Sequence, residues 1–236
     1  MEQLADNLWV IPQRFKYYGL SVGIRMTIIR LSNNELLMIS PIKLTEEITA
    51  KVDRLGKVKH LVLPNLFHYL FVHQWQEKYP ESITYGVSGL KKKRPELTID
   101  KFIDNEQNQS FWTNELDYSP FTGMNTLIPS GISPLGEYVF YHHSTRTLVL
   151  TDTAFYFDET FSQTTQIIAR LIGSYKKLQP SIIEKLVSYK NKQQINDALQ
   201  KILTWDFDRV IIAHGNIVET NAKEQFIKGY REFLKN

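Results

Sequence analysis

The chain has 236 residues, 42% of them hydrophobic and 12% aromatic, enough for a sizeable core at the upper end of single-domain length. It has no cysteine, which excludes disulfides, thiolate metal sites and cysteine nucleophiles. The net charge of +3 is small and its signs are interleaved, so nothing points to a nucleic-acid partner. No apolar run approaches the roughly 18 residues that span a bilayer. Acids (Glu2, Asp6) stand where a signal peptide carries bases, so the expected location is cytoplasmic. Without a linker or an internal repeat, one domain over residues 1–236 is expected.

In chain order, Leu8–Pro12 reads as a first strand and Phe15–Gly23 as a loop. Arg25–Leu31 and Glu35–Ile39, joined across Ser32-Asn33-Asn34, read as a hairpin that ends at Ser40-Pro41. Thr45 N-caps a helix with Ile48, Val52 and Leu55 on one face. Val58–Leu63 is a buried strand. Asn65 is placed to cap a helix running to about Tyr79, and Ser82–Val87 is the next strand. This alternation predicts an α/β protein. Lys91-Lys92-Lys93-Arg94 reads as a solvated helix end, with an anionic ligand as the other option. Residues 98–136 are loop-rich, with short strands and with Phe111, Trp112 and Leu116 packed inward.

Tyr138–Tyr141 and Thr147–Thr151 form a second predicted hairpin. Helices follow over 166–172, from Pro180 onward and over 193–203, and an amphipathic helix closes the chain over 219–234. Two apolar strands deliver chemistry at their C-terminal ends. Leu148-Val149-Leu150 leads to Asp152, and Val210-Ile211-Ile212-Ala213 leads to His214-Gly215. Strand ends of α/β folds are where sites are built, so an acid and a histidine there are the strongest chemical signal in the chain.

The segments Arg146–Phe155 and Arg209–Gly215 resemble two ligand segments of the metallo-β-lactamase superfamily, with Asp152 at the bridging carboxylate and His214 at the last metal histidine. Ser40-Pro41, Leu63–Phe71, Lys93–Leu97 and Trp205–Arg209 resemble an uncharacterised branch of it, a domain of unknown function. The resemblance covers about residues 5–232 and implies an αββα sandwich of two sheets with helices outside. The chain departs from the superfamily at its central motif. Asn65 and Phe67 stand where paired histidines belong, and Tyr69 and Leu70 where Asp-His belongs. Only His68 remains, one position out of register. Ile132 replaces a further histidine and Ser40 an early strand-end acid.

This set is too small for the usual two-metal site. It matches one Zn or Fe ion held by Asp152, His214 and His68, two imidazoles and a carboxylate. The resemblance implies hydrolysis of an ester, amide, thioester or phosphodiester in a small-molecule substrate. Arg25, a charge inside an apolar strand, is placed either to pair with a core acid or to bind an anionic substrate group, and Asn65 is the second candidate substrate contact. The alternative is a binding or scaffold protein with a protein partner and no metal, in which Asp152 and His214 form a buried polar pair. His60 is expected to be structural, His73 exposed, and His142 and His143 at the strand end away from Asp152. Ser40, with no local base, is read as a strand terminus.

Overall fold

The computed structural model describes residues 1–17, 19–105, 112 and 115–235. The strands in chain order are β1 (Glu2–Ala5), β2 (Leu8–Gln13), β3 (Lys16–Tyr17), β4 (Leu20–Ser21), β5 (Ile24–Arg30), β6 (Glu35–Ile39), β7 (Lys57–Leu63), β8 (Ile83–Gly86), β9 (Lys101–Phe102), β10 (Leu116–Phe121), β11 (Asn125–Ile128), β12 (Gly131–Pro134), β13 (Glu137–His142), β14 (Thr147–Val149) and β15 (Arg209–Ile211). The helices are α1 (Glu46–Asp53), α2 (Val72–Lys78), α3 (Gly89–Lys93), α4 (Gln163–Leu171), α5 (Ile182–Val187), α6 (Lys192–Ile202) and α7 (Ala222–Leu234).

Residues cluster in two compact units. The first, Met1–Gln13 with Ile24–Glu115, holds a sheet ordered β1-β2-β5-β6-β7-β8-β9. The hairpin β5–β6 pairs antiparallel, and β6, β7, β8 and β9 then run parallel. Parallel pairing needs crossovers, which α1, α2 and α3 supply. Leu36–Ile39 and His60–Leu63 are buried runs, as strands covered on both faces require. The predicted cap forms, with Thr45 Oγ1 accepting from Ile48 N at 3.2 Å.

The helix expected from Asn65 begins only at Val72. Asn65 is buried and its Oδ1 accepts from the backbone N–H of Phe67 (2.8 Å) and His68 (2.9 Å), closing a turn instead. The same cap chemistry serves a turn as well as a helix, and tertiary contacts decide between them. Lys93 Nζ donates to Leu66 O at 2.9 Å and lies 3.6 Å from the Phe67 ring centre, while the Arg94 guanidinium stacks 4.9 Å from that of Tyr69. The end of the basic run is thus spent on holding this turn. Trp112 and Leu116 are buried as expected, and Phe111 lies outside the described residues.

The second unit, Arg14–Gly23 with Leu116–Asn236, contains a sheet ordered β10-β13-β14-β15, the hairpins β3–β4 and β11–β12, and helices α4 to α7. β13 and β14 form the predicted hairpin, and β14 and β15 run parallel with Val149 opposite Ile211. The parallel register carries both strands out of the sheet at the same edge, where Leu150 N donates to Ile211 O at 2.8 Å. Asp152 and His214 come next along the two chains. Among the described residues no helix is long and apolar enough to cross a membrane.

Candidate metal centre

Asp152 and His214 meet beyond the ends of β14 and β15. His214 Nε2 lies 3.3 Å from Asp152 Oδ1, with both side chains largely buried. His214 Nδ1 is 2.6 Å from the carbonyl oxygen of Gly23, so Nδ1 carries the proton and donates it. The imidazole lies between the rings of Phe15 and Phe155, with centroids 6.2 and 6.4 Å away and planes tilted by 29° and 25°. Gly215 follows with φ +118°, and a Cβ there would lie 2.2 Å from Tyr156 O. Only glycine permits this approach, so the His-Gly pair is a structural requirement of the turn that presents His214.

The segment carrying Asp152 is gripped from two sides. The buried Glu137, first residue of β13, accepts from the backbone N–H of Thr151 and of Asp152, both at 2.7 Å, and from Thr153 Oγ1 at 3.0 Å. From α7, Tyr230 OH donates to Thr153 O at 2.6 Å. Burial, and then the neighbouring Asp152 charge, push the Glu137 carboxyl above its ordinary pKa, while the donated N–H groups oppose that shift. Burial likewise pushes Tyr230 well up, so it remains a donor.

Sequence reasoning missed Glu137. Its signal was parity, because Glu137 and Val139 are two apart in one strand and both face inward. The Gly23 carbonyl had no such signal, since every residue carries one.

In the first unit, His68 is buried in the turn held by Asn65, and its Nδ1 is 2.6 Å from Ser40 Oγ. Ser40 is therefore more than a strand terminus. It is buried with φ +59°, a left-handed backbone uncommon for serine, and it orients the imidazole. Arg25 lies half-buried in β5 opposite Pro12.

The other histidines have structural surroundings. His60 is buried, with Tyr85 OH 3.1 Å from Nδ1 and Glu35 Oε2 3.0 Å from Nε2. Burial lowers its pKa although Glu35 opposes the shift. His73 is exposed beside Glu77. His142 pairs with Thr147 across the hairpin, at the opposite end of β14 from Asp152.

By donor chemistry, Asp152 and His214 of the second unit bring together a carboxylate and an imidazole, both suited to holding a metal ion. The hydrogen bond from His214 Nδ1–H to a backbone carbonyl is the outer support that metal-binding imidazoles usually have.

The family described as a domain of unknown function (DUF4336) matches residues 5–172. No curated protein matches by sequence. Among solved structures, the chain is similar to a metallo-β-lactamase from Pontibacter korlensis, at 13% identity and a TM-score of 0.65, covering 99% of this chain and 97% of that one. It is also similar to the DIM-1 metallo-β-lactamase exposed to ceftazidime, at 12% identity and a TM-score of 0.63 over 98% and 95% of the two chains. A third likeness is to the metal-soaked flavodiiron core of Flv1 from Synechocystis sp. PCC6803, at 14% identity and a TM-score of 0.59, covering 97% of this chain and 59% of that one. The fold is therefore α/β and metallo-β-lactamase-like, as the strand-end motifs imply.

Proposed function

This chain belongs to the DUF4336 family, and on that premise we propose that it is a metal-dependent hydrolase-like protein with an atypical, mononuclear site held by Asp152, His214 and His68. One observation carries this reading. Donation of Nδ1–H to Gly23 leaves His214 Nε2 with a lone pair, and that lone pair faces a carboxylate oxygen at 3.3 Å. Two acceptors repel unless a cation joins them or the imidazole takes a second proton. Two donors each about 2.0–2.1 Å from one tetrahedral ion lie about 3.3 Å apart, so the spacing suits a shared cation. Ser40 would orient His68 as the Gly23 carbonyl orients His214.

A bound Zn or Fe ion would supply Lewis acidity. The chain's own residues fix the donors: Glu137 and Tyr230 hold the Asp152 turn, and Phe15 and Phe155 shield the His214 ring from water. Arg25 is the proposed contact for an anionic substrate group. Asn65 acts through the turn it closes, since its Oδ1 is already engaged by two backbone N–H groups. The substrate is a small molecule carrying an ester, amide, thioester or phosphodiester, and the protein is placed in the cytoplasm.

The second reading, a non-catalytic binding protein, draws on the same contact: a doubly protonated His214 would satisfy Asp152 without metal. Elemental analysis of protein purified without a polyhistidine tag or chelators separates the two. One equivalent of Zn or Fe, lost in His214→Ala and in Asp152→Ala with a modest loss of stability, is expected. Metal content unchanged in the double variant, or no metal in the wild type even after Zn or Fe is added, defeats the metal reading.

A further inference from the structure

Of the eleven large apolar side chains exposed among the described residues, eight lie between Leu127 and Tyr189 in the second unit. On α5 and the turn after it, Ile182, Ile183, Leu186 and Tyr189 form an outward stripe, with Glu184 buried behind them. On α4, Ile167 and Leu171 point outward while Thr165 and Ala169 are buried. Leu171 and Leu186 protrude furthest, 73% and 69% exposed. A helix of a globular protein normally turns its apolar stripe inward, so these two are reversed.

The two helices adjoin, and the β11–β12 hairpin lies beside α5. Ile182 N donates to Ile172 O at 2.9 Å, joining the end of α4 to the start of α5. β11 lies along α5 through Asn125 N to Ser188 Oγ (2.8 Å) and Thr126 Oγ1 to Glu184 Oε1 (3.2 Å). The exposed Leu127 and Ile132 stand opposite each other in the β11–β12 hairpin. Exposed apolar side chains gathered on adjoining elements mark an interaction site.

The charge around it is one-sided. Residues 161–192 carry six bases (Arg170, Lys176, Lys177, Lys185, Lys190, Lys192) and one acid, the buried Glu184, a net of +5 against +3 for the whole chain. The rest of the chain is therefore net −2. Lys176 and Lys177 meet the exposed Glu159 and Glu232, pairs that water screens.

A second copy of the chain docked on this face about a twofold axis would set like charges against each other. Protruding aliphatic side chains ringed by lysines instead match an anionic bilayer, in which the apolar tips enter the acyl boundary and the lysine stems reach the headgroups. We propose that the α4–α5 face docks the protein peripherally on an anionic lipid surface, with Leu171 and Leu186 inserted. This goes beyond the metal reading and does not depend on it.

The test is co-sedimentation of the full chain with vesicles of phosphatidylcholine alone and of phosphatidylcholine mixed with phosphatidylglycerol. Binding to the mixed vesicles only, weakened by raised salt, is expected. Leu171→Ser with Leu186→Ser, and Lys185→Glu with Lys190→Glu, should each weaken it by more than about tenfold, with circular dichroism unchanged. Absence of binding to mixed vesicles, or equal binding by the folded serine variant, overturns the proposal. A dimer abolished by the serine variant, or binding to polyglutamate, without vesicle binding would assign the face to a second copy or to an acidic polypeptide and would also overturn it.

Discussion

At the scale of single residues, the Asp152 turn depends on a side chain that never reaches the proposed ion. Glu137 accepts from three donors on consecutive residues, Thr151, Asp152 and Thr153, and thereby fixes where the Asp152 carboxylate points. Glutamine there keeps the shape but sets an amide N–H₂ against one of those N–H groups. Glu137→Gln should lower stability by about 1–3 kcal/mol in urea unfolding. It should also weaken Zn binding by about 10–100-fold in calorimetric titration. Stability loss without a change in Zn affinity would reduce Glu137 to a packing role.

His142 makes a separate prediction. Burial, and then the nearby His143, lower its pKa from 6.5 to about 4. Its folded pKa lies below its unfolded one, so the neutral ring stabilises the fold fully above about pH 6.5, and this contribution is lost as pH falls toward 4. The loss should reach about 3 kcal/mol at most, seen as a falling urea midpoint between pH 6.5 and 4. His142→Gln should flatten the dependence over that interval, and an unchanged slope would assign the acid lability to other groups.

At the scale of elements, α7 docks through a glycine. A Cβ on Gly229 would lie 2.0 Å from Leu178 O, closer than any real contact. Ala in place of Gly in a helix ordinarily adds about 1 kcal/mol. Here the sign reverses, because the helix must move away from the backbone before α5. Gly229→Ala should cost about 1–3 kcal/mol. The shift should also loosen the bond from Tyr230 OH to Thr153 O, which thermal melts and hydrogen exchange at Thr153 would register. A neutral or stabilising substitution would show that α7 yields without strain. The turn before α2 illustrates the same level of organisation. Its register is set by Asn65 beneath and Lys93 and Arg94 above, so the helix start moves to Val72.

For the whole molecule, the proposed ligands lie at positions 68, 152 and 214, and a metal bound only by the folded chain adds to its stability through mass action. Free Zn at 100 times its Kd contributes about 2.7 kcal/mol. For a chain of this size that corresponds to a rise in Tm of about 5–10 °C. The shift should vanish when His68, Asp152 and His214 are all replaced by alanine. A shift of equal size in that variant would place the ion elsewhere.

The sequence by itself missed β1 and read as a loop over Phe15–Gly23, where β3 and β4 pair. It determined the strands β2, β5 to β8 and β13 to β15, the hairpins β5–β6 and β13–β14, the cap at Thr45 and the delivery of Asp152 and His214 at strand ends. Each of these follows from local rules, namely the two-residue period of a strand, the capping oxygen of threonine and the buried run that precedes each ligand. It could not determine what those side chains would meet. The partner of His214 is a backbone carbonyl 191 residues away, and a carbonyl leaves no trace in residue identity. Ser40 finds its histidine 28 residues on, across a parallel crossover. Whether Asn65 would start a helix or close a turn also lay outside the sequence, because its side-chain oxygen satisfies the same two N–H groups either way. Tertiary structure decided these cases because hydrogen-bond partners and steric approach are properties of three-dimensional proximity, whereas periodicity records only which face of an element is buried.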